Sequence, residues 1–207
     1  MKWRDLLSSL GREPVFSAAL LQVGDVSRKE LSVQLSRWVG SGRLIRLRRG
    51  VYAIAKPYRQ AEPHPFLVAN TLRRNSYVSL QSVLAFHGLI PEYVPVCTSV
   101  TTSRSEKLET ELGTYVYRRI GSRYFFGFGR QEVAPNQHSF VAMPEKALLD
   151  LVYLTPGGET PEYLQELRLQ HVDALDDETL EKLADRMGKP KLRSAVKVIR
   201  RLVEDWR

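Results

Sequence analysis

The 207-residue sequence has one cysteine, Cys97, so no internal disulfide can brace it. Cys97 lies in the apolar run Val94-Pro95-Val96-Cys97 and reads as a small buried hydrophobe. No apolar stretch reaches the roughly 18 residues that a membrane-spanning helix needs. Met1-Lys2-Trp3-Arg4-Asp5 leads into no long apolar core, so a secretory leader is not expected. C-x-x-C and H-E-x-x-H patterns are missing, and His64, His87, His138 and His171 are widely spaced, which argues against a zinc site. There is no G-x-x-x-x-G-K-[ST] loop; Tyr124–Gly129 contains glycines but lacks the lysine and helix that cradle a phosphate. These absences lead to the expectation of a cytoplasmic protein with no metal and no cofactor.

What the sequence does have is positive charge in one place. Formal net charge is +8. Residues 1–60 hold 12 Lys and Arg against 4 Asp and Glu, which is 12 − 4 = +8. The remainder holds 31 − 12 = 19 basic and 23 − 4 = 19 acidic residues and is neutral. Segregation of this kind suggests a polyanionic partner; a solubilising surface is the other explanation, but solubility does not require it.

Periodicity over that basic segment predicts three helices and a hairpin. Trp3, Leu6, Leu7 and Leu10 recur at helical spacing up to Gly11. Pro14-Val15-Phe16-Ser17 is expected to open a short helix over Ser17–Leu21, with a turn at Gly24-Asp25. Ser27-Arg28-Lys29-Glu30 has the S-x-x-E form of a capping box. Leu31, Leu35, Trp38 and Val39 then mark one apolar stripe, while Lys29, Val33, Ser36 and Arg37, with Ser32 at the edge, fall opposite. Gly40-Ser41-Gly42 ends the helix. Arg43–Ile54 reads as two strands joined by an arginine-rich turn at Gly50.

After a linker from Pro57 to Pro65 the pattern is mixed. Helices are expected over Pro65–Arg74, Ser79–His87, Pro144 onward, Pro161–Leu169, Asp177–Met187 and Pro190–Trp206. Strands are expected over Val94–Thr102 and Gly113–Ile120, with shorter ones at Tyr124–Gly129 and Ser139–Met143, and a loop over Ser103–Leu112. The fold class is therefore α+β. A winged helix-turn-helix over residues 1–58 precedes a mixed α/β domain over 64–207, whose end is helical from about 160.

A helix with outward polar side chains fits the major groove, and a basic hairpin beside it suits phosphates or the minor groove. The candidate DNA-binding residues are thus Arg28, Lys29, Ser32, Ser36 and Arg37 on the helix, and Arg46, Arg48 and Arg49 on the hairpin. The terminal helix offers a second set. Leu192, Val196, Ile199, Val203 and Trp206 fall near one face, and Lys191, Lys197, Arg200 and Arg201 lie mostly off it. These four could contact flanking phosphates, or could offset the acidic Asp173–Glu181 stretch.

Three stretches resemble the AbiEi-type antitoxins, regulators of type IV toxin–antitoxin systems. Gly42-Arg43-Leu44-Ile45-Arg46-Leu47-Arg48-Arg49-Gly50-Val51-Tyr52 resembles the wing of that family. Tyr77-Val78-Ser79-Leu80-Gln81-Ser82-Val83-Leu84-Ala85-Phe86-His87-Gly88-Leu89-Ile90-Pro91 and Pro144-Glu145-Lys146-Ala147-Leu148-Leu149-Asp150-Leu151-Val152-Tyr153 resemble two motifs of its C-terminal domain, with Val83 where the family often has alanine. The last 50 residues match weakly. The resemblance implies a repressor that binds double-stranded DNA at inverted repeats in its own promoter, a role in phage defence, and a C-terminal domain that counteracts a nucleotidyltransferase-like toxin. Stable toxin binding is not implied.

Two other functions stay open on the residues. The basic unit could grip an acidic protein as an interaction adaptor. Glu145, Lys146 and Asp150 could belong to a metal-dependent nuclease, although Lys146 and Asp150, four apart on a helix, also fit a surface ion pair.

Overall fold

The computed structural model describes residues 1–21 and 27–204, with side chains up to residue 201. The Gly24-Asp25 turn, and the contributions of Val203 and Trp206 to the terminal stripe, lie outside the described residues.

The N-terminal elements build a small helix–sheet layer. Helix α1, Trp3–Leu10, starts where the Lys2 backbone N–H donates to the Asp5 carboxylate at 2.7 Å. It buries Leu6 and Leu10. Pro14 is followed by strand β1, Val15–Ser17, and a 3-10 turn, Ala18–Leu21, instead of the expected α-helix. Helix α2, Arg28–Gly40, buries Leu31, Leu35 and Trp38. Its Ser27 makes no side-chain cap, so the expected capping box does not form. Strands β2, Leu44–Arg48, and β3, Val51–Ile54, close a hairpin whose Gly50 holds φ 78°. That positive φ is one only glycine adopts freely.

The three strands run antiparallel in the order β1-β3-β2. Strand β3 is buried on both faces. Tyr52 and Ile54 join α1 and α2 around Leu6, Phe16, Leu35 and Trp38, whereas Val51 and Ala53 face the larger core of the chain. The period-2 alternation of a strand explains the split.

Residues 65–204 form a mixed layer around a six-stranded sheet. In chain order these elements are α3 Pro65–Leu72, β4 Ser76–Val78, α4 Gln81–Phe86, β5 Val96–Thr101, β6 Glu106–Thr110, β7 Gly113–Arg119, β8 Phe128–Ala134, β9 Gln137–Ala142, α5 Pro144–Leu154, α6 Pro161–Glu166, α7 Asp177–Met187 and α8 Pro190–Glu204. Strand order is β6-β7-β5-β4-β9-β8, with β5/β7 and β4/β9 parallel and the other pairs antiparallel. The Tyr117 hydroxyl donates to the Ala69 carbonyl of α3, and the Tyr77 hydroxyl donates to Asp150 of α5. Tyr77 alternates in β4 with Val78, whose cross-strand partners lead to Tyr117, so α3 and α5 cover opposite faces. Helix α3 also packs against β1 and joins the two sheets.

Two expectations in this half are corrected. Ser103–Leu112 contains β6, an edge strand in which partly buried residues alternate with exposed Lys107 and Glu109. Its polarity suits an edge and hides it from a search for apolar alternation. The strand expected at Tyr124–Gly129 begins later, at Phe128, after a 3-10 turn over Ser122–Tyr124.

Candidate nucleic-acid interface

Helix α2 shows two faces. Leu31, Leu35 and Trp38 anchor it, and the edge of Trp3 meets Trp38 at 5.2 Å. Arg28, Lys29, Ser32, Val33, Ser36 and Arg37 are exposed. The Ser36 hydroxyl donates to the Ser32 carbonyl at 2.9 Å, so its proton is used within the helix and its lone pairs remain for a donor. The helix ends where Ser41 N–H donates to Arg37 O at 2.9 Å and Gly42 takes φ 68°.

Beside α2 lies the hairpin. Arg46 pairs across the ladder with Tyr52, and Leu44 with Ile54, so these side chains share the face toward α2. The Gly50 carbonyl accepts from Ala18 N–H at 2.8 Å and ties the hairpin tip to the 3-10 turn. Phe16 stacks on Tyr52 with centroids 5.9 Å apart. The result is a recess of about 210 Å³ whose wall includes Arg28, Ser32 and Ser36 from α2 and Arg46 and Arg49 from the hairpin. Five of the eight candidate residues thus meet in one depression. Lys29 and Arg37 stand on the exposed side of α2 outside it.

Arg48 is placed elsewhere, against the expectation that it would act with Arg46 and Arg49. The register shifts between Arg46 and Arg48, and Arg48 opposes Val51. Simple alternation would put residues 46 and 48 on one face. The bulge reverses Arg48 onto the face of Val51 and Ala53. There its guanidinium donates to the Leu72 carbonyl at 3.2 Å and lies 3.7 Å from Glu106.

The terminal-helix set divides likewise. Helix α8 buries Leu192, Val196 and Ile199. Lys191 donates to the Thr155 carbonyl and lies 3.2 Å from Glu159. The Arg200 Nε–H is shared between the two Asp177 carboxylate oxygens at 2.9–3.0 Å, and its Nη2 donates to Glu181 at 2.9 Å. Lys197 and Arg201 are exposed. Arg200 therefore offsets the acidic stretch, one of the two roles the sequence left open.

Glu145, Lys146 and Asp150 are buried, which corrects the surface ion pair expected of the last two. Lys146 and Asp150 have 0% side-chain exposure and are joined directly. Tyr77 OH and Ser79 Oγ donate to Asp150 Oδ2 at 2.8 and 2.9 Å, and Lys146 Nζ donates to Tyr77 OH at 2.9 Å. Burial lowers the Lys146 pKa, opposed by Asp150. Burial raises that of Asp150, opposed by Lys146 and the two hydroxyls. Glu145 accepts from Asp176 N–H at 2.9 Å. Sequence spacing gave no sign of this network, because an i,i+4 pair looks the same on an exposed and a buried helix face. Burial also pushes the Cys97 thiol up to about 12, far from a reactive thiolate.

Among the described residues, no group of three or more His, Cys, Asp or Glu side chains could hold a metal ion. No described helix is long and apolar enough to cross a membrane.

Comparison with known proteins bears on the same segment. A family described as "Transcriptional regulator, AbiEi antitoxin" matches residues 23–55. No curated protein matches. Among solved structures, the RV2827C protein from Mycobacterium tuberculosis aligns with a TM-score of 0.53 at 15% identity, covering 94% of this chain and 75% of that one. That likeness is one of fold. Over residues 23–55, the stretch that carries α2 and the hairpin, the chain is thus similar to AbiEi antitoxin transcriptional regulators.

Proposed function

We propose that residues 1–58 are a winged helix-turn-helix that binds double-stranded DNA, with α2 as the recognition helix and the β2–β3 hairpin as the wing. The observation that carries this is the shared recess of exposed Arg28, Ser32, Ser36, Arg46 and Arg49, whose wall carries no carboxylate among the described residues. Arg28, Ser32 and Ser36, flanked by Lys29 and Arg37, would enter the major groove and read base edges. Arg46 and Arg49 would bind phosphates or an adjacent minor groove.

The match over residues 23–55 supports a role as regulator and antitoxin. In that role the protein represses its own promoter at inverted repeats. Residues 64–207 then form the domain that counteracts a nucleotidyltransferase-like toxin in a type IV system linked to phage defence, in the cytoplasm and without enzymatic activity of its own. Burial and internal pairing of Glu145, Lys146 and Asp150 favour this reading over the nuclease one. An adaptor that grips an acidic protein remains the competitor.

A gel-shift of the full chain with its own upstream DNA, titrated with salt, tests the proposal. Log affinity should fall linearly with log salt, with a slope of about −0.9 per neutralised phosphate. A flat salt dependence, or capture of an acidic partner with DNA ignored, would defeat it.

A further inference from the structure

Helix α2 exposes one large apolar side chain. Val33 is 45% exposed and belongs to neither hydrophobic cluster of the chain. At about 100° per residue it stands opposite the buried stripe of Leu31, Leu35 and Trp38, on the crest of the outward face. Its neighbours one helical turn away are Lys29, Glu30, Ser36 and Arg37, all exposed. A lone exposed hydrophobe is ordinary on a protein surface. Val33 differs in being ringed by polar groups at the centre of a helix face, where folding gains no packing from it. Its β-branched side chain also lowers helix propensity relative to alanine.

The residues around this crest limit what it could meet. Arg28, Ser32 and Ser36 lie on the flank of α2 that shares a recess with Arg46 and Arg49 of the hairpin. Lys29 and Arg37 stand four residues before and four residues after Val33. A helix held in the major groove by cations on phosphates presents its crest to the groove floor, where the base edges lie. Most groups on those edges are hydrogen-bond donors and acceptors, and an isopropyl group can engage neither. The hydrocarbon group displayed there is the C5-methyl of thymine. Packing an isopropyl group against that methyl removes apolar area from water and needs no hydrogen-bond partner.

We propose that Val33 is a specificity residue that reads thymine, its isopropyl group packed against the C5-methyl in the major groove. This inference rests on the DNA-binding reading of α2 and goes beyond it, because it assigns one base to one side chain. Selection is by the methyl group alone. Uracil presents the same hydrogen-bonding edge as thymine without that methyl, so Val33 discriminates against it.

The test is fluorescence anisotropy of the full chain on its own upstream DNA, synthesised once with thymine and once with uracil in its place. The parent should bind the thymine DNA at least about fourfold more tightly, the ratio that burial of one methylene-sized group gives at 25 °C. Val33→Ser should bind both DNAs alike, and Val33→Ile should keep the preference for thymine. The position is exposed, so Val33→Ser should leave the melting temperature unchanged, and far-ultraviolet circular dichroism checks that it is folded. Equal affinity of the parent for both DNAs, or a thymine preference that survives Val33→Ser, overturns this inference alone when the salt dependence stays steep. A changed oligomeric state of Val33→Ser in sedimentation also overturns it, since the side chain then serves a contact between protein chains. Absence of any salt-dependent binding by the parent overturns both this inference and the DNA-binding reading beneath it.

Discussion

On α2 and the β2–β3 hairpin, Arg28, Lys29, Arg37, Arg46 and Arg49 have no carboxylate within ion-pair distance among the described residues. In residues 64–204 basic and acidic residues are close to balanced in number, and eight of the eighteen Lys and Arg side chains sit in an ion pair among the described residues. Lys146 meets Asp150, Lys191 meets Glu159, Arg193 meets Asp185, and Arg200 meets Asp177 and Glu181. Apart from the buried Lys146–Asp150 pair, these are exposed or partly exposed and add little stability, about 0–1 kcal/mol each. With equal numbers of basic and acidic residues beyond residue 60, that half has little net field to offer an outside polyanion. The unmatched charge of the first half is what a phosphate backbone could use. Charge segregation in the sequence thus survives folding as a cluster of cations on α2 and the hairpin, against a second half whose charges balance.

The comparison can be broken at several points. The largest effect is expected inside the second half. Asp150→Ala leaves the Lys146 ammonium buried without its partner and should cost about 3–5 kcal/mol in a urea unfolding titration. Replacing both, with Lys146→Met and Asp150→Leu, should recover much of that loss. A single variant as stable as the double would show that the pair is not buried.

Next come the exposed cations. Arg28→Ala should cost about 1–3 kcal/mol of discrimination between operator and scrambled DNA. Arg46→Ala and Arg49→Ala should weaken binding to both sequences alike and flatten the salt slope by about 1 unit each. Equal loss of discrimination from all three would remove the division between helix and hairpin.

Arg48→Ala sharpens the comparison further. Its partners are the Leu72 carbonyl and Glu106, so thermal stability should fall by about 1 kcal/mol while the salt slope holds. A flattened slope would place Arg48 on the DNA after all.

The smallest effect concerns pH. Desolvation by the surrounding protein lowers the pKa of His64 and of His87 below the ordinary 6.5, and Glu145 partly opposes this at His87. The folded protein therefore binds fewer protons than the unfolded chain below pH 6.5, so stability should decline as pH falls from there toward the lowered values. Melting temperature measured between pH 7.5 and 5 checks the sign, and a His87→Gln variant should show a shallower decline.

Much of the first half was legible because its signals are local. The stripe of Leu31, Leu35 and Trp38 and the glycine-containing hairpin each lie within about a dozen residues, and both elements occur where expected. Illegible features depend on distant partners. Strand β1 is three residues long and exists through its ladder to β3, 36 residues away at Phe16–Tyr52. The reversal of Arg48 needs a bulge that composition does not announce. Lys146 and Asp150 become core residues because β4 brings Tyr77 and Ser79 onto them from about 70 positions earlier. In the candidate interface, the five residues that line the recess are among those named from sequence, and the departure of Arg48 was not foreseen.

The most direct measurement is the salt dependence of operator binding, by fluorescence anisotropy, for the parent chain, the Arg46→Ala/Arg49→Ala variant and an Arg200→Ala variant. A slope near the parent's for Arg200→Ala, and one flatter by about 2 units for the hairpin variant, is the result predicted. Equal slopes for all three proteins, or flattening confined to Arg200→Ala, would contradict the assignment of DNA contact to the unpaired charge of the first half.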